Sequence, residues 1–200
     1  DQVEPYDVSL AQDGTIYLTG LSGSASDSII ISSNATNTIF QSGGDYSNFL
    51  VKFNPSLQPE WTKVFWGTEG TYLEQVDCNN SMVYLGGYYA DSLVEFTTSG
   101  QIVRAVSQFQ VAPRTLIGFL SDGTFMGLES DEAITTLSNN HPYSDTRDLV
   151  MSTQGDAFVI SRASAYVDCE FDLDPGIGIA SINSTDTANY HGASYILRLN

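Results

Sequence analysis

Asp168, Glu170, Asp172 and Asp174 alternate with Cys169, Phe171 and Leu173 in the stretch "VDCEFDLDPG". Alternate residues of an extended strand share a face, so this spacing would set four carboxylates in a row. Bare, they repel one another. A hard cation that takes about six to eight oxygen ligands would relieve the repulsion, and Ca2+ is the ion of that kind. The spacing is not that of an EF-hand, which needs a D-x-[DN]-x-[DN]-G loop followed by a bidentate Glu. The competing expectation is a solvated acidic face, with Asp172 and Asp174 also capping a turn ahead of Pro175-Gly176.

A second candidate surface is aromatic. Tyr88 and Tyr89 end an apolar run, and rings beside Asn and Asp can stack on sugars. Asp45, in "GGDY", and Asp91 each precede a strand-like run and are weaker ligand candidates. Trp61 and Trp66 lie five residues apart in one run, so they should face opposite sides of a strand. Such rings also serve as packing between layers.

Other chemistry is thin. The only histidines are His141, before Pro142, and His191, beside Gly192. No G-x-S-x-G elbow supports a catalytic triad, and no P-loop or dinucleotide fingerprint occurs. Acidic residues are plentiful, so a carboxylate pair for sugar hydrolysis is conceivable, but no pair stands out. No catalytic residues are assigned. Three N-x-[ST] sequons, at Asn34, Asn79 and Asn183, would be surface positions in a glycosylating host.

The totals bound the class of function. Seven Lys and Arg against 24 Asp and Glu give a net charge of −17 in 200 residues. That field repels duplexes and anionic membranes, which argues against nucleic-acid and lipid-surface partners. No apolar run reaches the length of a membrane helix, so no membrane insertion is expected. Apolar residues make up 42% of the chain, enough for a packed core. Cys78 and Cys169 permit one disulfide, with two buried thiols as the alternative. The chain opens at an acidic residue rather than Met, which suits a processed or excerpted polypeptide. Abundant Ser, Thr, Asn, Gly and Tyr with rare Lys suggest an extracellular or cell-surface protein.

The elements that must position these residues are strands. No i, i+3, i+4, i+7 stripe is sustained, and short β-branched and aromatic runs are broken by turn residues. Asp13-Gly14, Asp122-Gly123, Gln154-Gly155 and Asn79-Asn80 each join two such runs, as hairpins that use positive φ. A third run follows each hairpin, at 47–54, 91–97, 132–138 and 193–200, and a fourth at 60–67 and 101–109. The implied unit is a four-stranded antiparallel meander, in repeats of roughly 5–67, 70–109, 113–145 and 147–200. Such repetition predicts an all-β fold, a single β-propeller of about four blades over 1–200, on its own or within a larger propeller. A β-sandwich is the alternative. Long inserts fall between the second and third strands at 21–46 and 162–192, where binding surfaces tend to form.

"DGTIYLTG", with the later "QSGGDYSNFLVKFNPSLQPEWTKVFWG", resembles the bacterial SBBP-type β-propeller repeat. The last copy, with "FDLDPGIG" before "GASYILRLN", resembles a variant seen in secreted proteins of the Bacteroidetes kind. The middle copies lack the Gly-rich stretch. The resemblance implies an exported propeller, often one part of a long adhesin or secretion cargo, with no shared catalytic residues. The expected function is a non-catalytic adhesion or surface-assembly module. Its partners would be a protein or glycan at the cell surface and further domains of the same polypeptide. A structural subunit of a filament or coat, and a hydrolase or lyase with an acidic pocket, are the alternatives.

Overall fold

The computed structural model describes residues 3–23, 28–33, 36–41, 47–66, 71–89, 93–98, 101–106, 114–130, 132–136, 143–165, 169–172, 181–184 and 191–199. Within them lie eighteen strands and no helix. In order they are β1 (Val3–Leu10), β2 (Ile16–Ser22), β3 (Ser28–Ser33), β4 (Thr36–Gln41), β5 (Ser47–Phe53) and β6 (Pro59–Trp66). Then come β7 (Thr71–Cys78), β8 (Met82–Tyr89), β9 (Leu93–Thr98), β10 (Gln101–Val106), β11 (Arg114–Leu120) and β12 (Phe125–Ser130). The last are β13 (Glu132–Thr136), β14 (Tyr143–Met151), β15 (Ala157–Ala165), β16 (Cys169–Asp172), β17 (Ser181–Ser184) and β18 (His191–Leu199).

Local chemistry makes the hairpins. Gly14, Gly123 and Gly155 have φ of +85°, +87° and +103°. In the first, Ala11 donates its N–H to Thr15 O (2.8 Å) and Gly14 to Ala11 O (3.0 Å). Leu120 with Thr124, and Ser152 with Asp156, repeat the pattern. Each is a three-residue loop, a type I turn followed by a left-handed residue where glycine costs least. The positive φ expected at Asn79-Asn80 is not adopted. There the Asn79 side chain makes the turn, its Oδ1 accepting from the amides of Ser81 (2.8 Å) and Met82 (3.0 Å).

Between β5 and β6, Leu57 holds φ +60°, a place that glycine takes in the other loops. Its side chain is exposed and buries little in return. Leu57→Gly should relieve about 1–2 kcal/mol of left-handed strain and add about 0.5–1 kcal/mol of unfolded-chain freedom. A small net gain is expected, read as a higher urea midpoint. A lower midpoint would contradict it.

All pairings are antiparallel. The first sheet runs β1-β2-β5-β6-β9-β10, the second β7-β8-β11-β12, and the third β14-β15-β18. A further sheet runs β13-β16-β17, and β3 pairs with β4. Here the strands depart from the meanders read in the sequence. The runs at 91–97 and 101–109 were expected to complete the second repeat. Instead β9 pairs with β6, through Phe65↔Phe96 and Trp66↔Glu95, and β10 pairs with β9. The second sheet is completed by β11 and β12, expected to open a third repeat. The run at 132–138 gives β13, which pairs with β16 and not with β12. Burial supplies the reason. Arg114–Phe119 of β11 is buried without alternation, as a strand covered on both faces must be.

The three main sheets stack, with the second as the middle layer. Tyr17, Leu50 and Phe65 of the first sheet pack against Leu73, Leu85 and Phe119 of the second. Trp61 joins that seam, 5.8 Å from the Tyr17 ring and 6.3 Å from Phe119, and donates from Nε1 to Ser121 O at 3.1 Å. The Lys63 ammonium lies 5.7 Å from the Trp61 ring centre and 5.6 Å from that of Phe119, and burial lowers its pKa. On the other face, Leu149, Ala157 and Val159 of the third sheet meet Leu116, with Tyr84 alongside. Gly86 permits this approach, since a Cβ there would stand 2.6 Å from Thr146 Cγ2.

Candidate functional site

The stack has two chemically different ends. At one end are the hairpin turns, tied across sheets. Asp13 N–H donates to Asn80 Oδ1 (3.2 Å), and Asn79 Nδ2 donates to Ser152 O (3.2 Å). Asn79 is therefore committed to its turn and its neighbour, which the sequon did not suggest. At the other end, Ser22 pairs with Val3, Tyr89 with Thr71, and Ala165 with His191. The segments that follow Ser22 and Ala165 carry the two long inserts, so both leave the stack at the end away from the turns.

Tyr88 sits at this insert end. It pairs in register with Tyr72 of β7, and their rings stack with centroids 5.0 Å apart and planes 19° from parallel. Tyr6 of β1 is close enough for its ionisation to feel both rings. Its hydroxyl is pushed up to about 12, first by burial, then by the negative charge of Glu74 and Glu4, then by Tyr72 and Tyr88. All three rings are half-buried. The result is a partly exposed tyrosine platform with carboxylates beside it. Such a surface can stack on a sugar ring or hold a cation against π faces.

Ionising a buried phenol costs most in the folded state. Tyr6 and Tyr17 both titrate above the ordinary value of 10.0, Tyr17 chiefly through burial. Their contribution to stability is whole below pH 10 and is lost as the pH rises towards 12. The urea midpoint should therefore fall between pH 9.5 and about 11.5, and Tyr6→Phe should reduce that fall. An unchanged midpoint across the window would contradict the buried assignment.

The other candidates separate. Asp45, Asp91, Asp168 and Asp174 lie outside the described residues. Tyr89 ends β8, while Glu170 and Asp172 occupy alternate positions of β16 and so share a face. Register puts Glu132 and Ser181 opposite Asp172, and Thr135 and Asn183 opposite Glu170. Glu132 was not singled out in the sequence, because only the pairing of β13 with β16 brings it there. Among the residues with described side chains, no group of three His, Cys, Asp or Glu assembles as a metal site. Trp61, partly buried, packs between layers, the alternative expected for such rings.

Cys78 is a free, buried thiol, so it is not half of a disulfide with Cys169. Its Sγ lies 3.2 Å from Ser9 Oγ, and burial raises its pKa, which keeps it a poor nucleophile. Asp13 and Asp122 titrate below the usual carboxylate range, because the Thr15 and Thr124 amides and hydroxyls bond them in their turns. That is the wrong direction for a proton donor at neutral pH.

No protein-family model matches the chain, and no curated protein matches its sequence. Geometry alone therefore carries the reading of this surface. The tyrosine platform, at the end where the inserts leave, is the feature best suited to contact another molecule.

Proposed function

We propose that this chain is an extracellular, non-catalytic binding module of the β-propeller type. Its sheets would serve as blades, and the SBBP-type repeat would be their origin. Its ligand is a glycan, held on the tyrosine platform at the insert end. The single observation behind the ligand is the near-parallel Tyr72–Tyr88 pair, with Tyr6 and two carboxylates beside it. Stacked aromatic faces supply the apolar contact, and acidic groups accept from sugar hydroxyls. Ca2+ would be held at β13-β16-β17, where Glu132 stands opposite Asp172 and Glu170 lies two positions from Asp172 along β16.

A glycan array run beside a reducing-sugar assay tests the reading. The expected outcome is retention on the array, weakened about tenfold in Tyr88→Ala, with no sugar released. Released sugar would instead favour the hydrolase or lyase alternative. An empty array would overturn the glycan and leave a protein ligand to be sought. For the cation, chelator should lower the melting temperature, and unchanged melting would remove it. A second reading, a structural subunit of a surface filament or coat, is favoured by the exposed apolar row on the third sheet.

A further inference from the structure

The edge strands β1, β7 and β14 lie beside one another, one from each stacked sheet. An edge strand leaves alternate amides without a ladder partner. In this stack, carboxylates take them. Asp7 accepts from Val8 N (2.8 Å) in its own strand and from Val76 N (3.0 Å) in β7. Asp77 accepts from Cys78 N (2.8 Å) in its own strand and from Met151 N (2.6 Å) in β14. Each Asp thus covers one amide of its own strand and one of the next.

The four residues before each turn align as Asp7-Val8-Ser9-Leu10, Gln75-Val76-Asp77-Cys78 and Asp148-Leu149-Val150-Met151. The second and fourth residues carry the outward amides. The Asp stands first in β1, third in β7 and first again in β14. This alternation is required, since an Asp in first place covers the second amide of the next strand, which must not already be covered from within. The pattern is incomplete at both ends. Asp148 Oδ1 accepts from Leu149 N (2.9 Å), and Oδ2 has no partner among the described residues. The Leu10 amide, two residues beyond Val8, likewise has none. Around Asp148 the outer face of the third sheet carries an apolar row, with Arg198 6.0 Å from the Phe158 ring at its turn end and paired to Asp156. Val150, Phe158, Ile160 and Ile196 are 52%, 38%, 39% and 69% exposed, with Val150 opposite Phe158 and Ile160 opposite Ile196.

We propose that this face docks one further antiparallel sheet of the same kind, whose edge strand reads apolar–Asp–apolar as β7 does. Asp148 takes that strand's first outward amide, and its apolar residues cover Val150 and Phe158. The same strand type, with its Asp in third place, is what the open Leu10 amide requires. A second copy of this chain does not fit. Asp148 would meet the Val8 amide, already held by Asp7, and Val150 would leave the Leu10 amide uncovered. The proposal goes beyond the glycan reading and rests on the observed stacking, so the array result does not decide it.

The test titrates a labelled, backbone-cyclised hairpin with the sequence of residues 71–89 into the 200-residue chain, in reducing buffer, and follows anisotropy. Binding is expected, about tenfold weaker for Asp148→Asn and lost for Phe158→Asp. Asp148 is exposed and makes one local bond, so the melting temperature of Asp148→Asn should match the parent, which separates docking from folding. A hairpin with the sequence of residues 3–22 should bind at least about tenfold less well. With the strand content of the cyclised hairpin first established by circular dichroism, no binding at about 1 mM, equal binding by Asp148→Asn, or a dimer of the chain alone in sedimentation would each overturn the proposal.

Discussion

Asp77→Ala is expected to lower the free energy of unfolding by about 3 kcal/mol. The carboxylate accepts from Ser9 Oγ (2.6 Å), Cys78 N (2.8 Å) and Met151 N (2.6 Å), so one side chain joins all three stacked sheets. Bonds to a charged acceptor contribute about 1.5–3 kcal/mol each, and part-burial leaves water as an incomplete substitute. Alanine would leave two edge amides without acceptors in a crowded seam. Asp77→Asn should cost less, since its remaining oxygen can keep one amide. Asp148→Ala, with a single local bond, should cost about 1 kcal/mol or less. Urea unfolding followed by circular dichroism reads all three. A loss under about 1 kcal/mol for Asp77→Ala would mean that the carboxylate seam does not hold the sheets together.

Phe119→Ala is expected to cost about 4 kcal/mol. The ring is fully buried in the middle layer and meets Trp61, Phe65 and Phe125, with centroids 6.3, 6.1 and 5.9 Å away. Its removal leaves a cavity that these rings, fixed on two sheets, cannot readily close. It also takes away one of the two faces over which Lys63 lies. Phe119→Leu keeps more of the volume and should cost about 1–2 kcal/mol. The loss is read from the urea midpoint, and native Trp fluorescence should shift to the red as Trp61 loosens. A cost near that of an exposed substitution would place the main core elsewhere.

Strands and turns were legible in the sequence because they are local. "LAQDGTIYL" specifies its own loop, and Gly14 has the φ that this loop demands. Sheet membership was less legible. Nothing within "LVEFTT" says that it pairs with Trp66 of β6 and not with β8, since that choice is made by distant burial. Of the candidate site, Tyr88 could be found from its type and place. Its partner Tyr72 could not, because their register depends on an irregularity between Leu73 and Gln75. Asp7, Asp77 and Asp148 also escaped notice, as an Asp inside an apolar run reads as a weak strand residue. The available signal was recurrence, one Asp within four residues of each first turn.

The tying of turns at one end, and of Asp7 and Asp77 along the edge strands, has a mechanical consequence. Val3 lies at the insert end of the first sheet, and Leu199 lies at the turn end of the third, opposite Ala157. Tension between these two points runs diagonally through the layers. It drives them to slide lengthwise, so the Val76 and Met151 bonds resist in shear together instead of peeling one after the other.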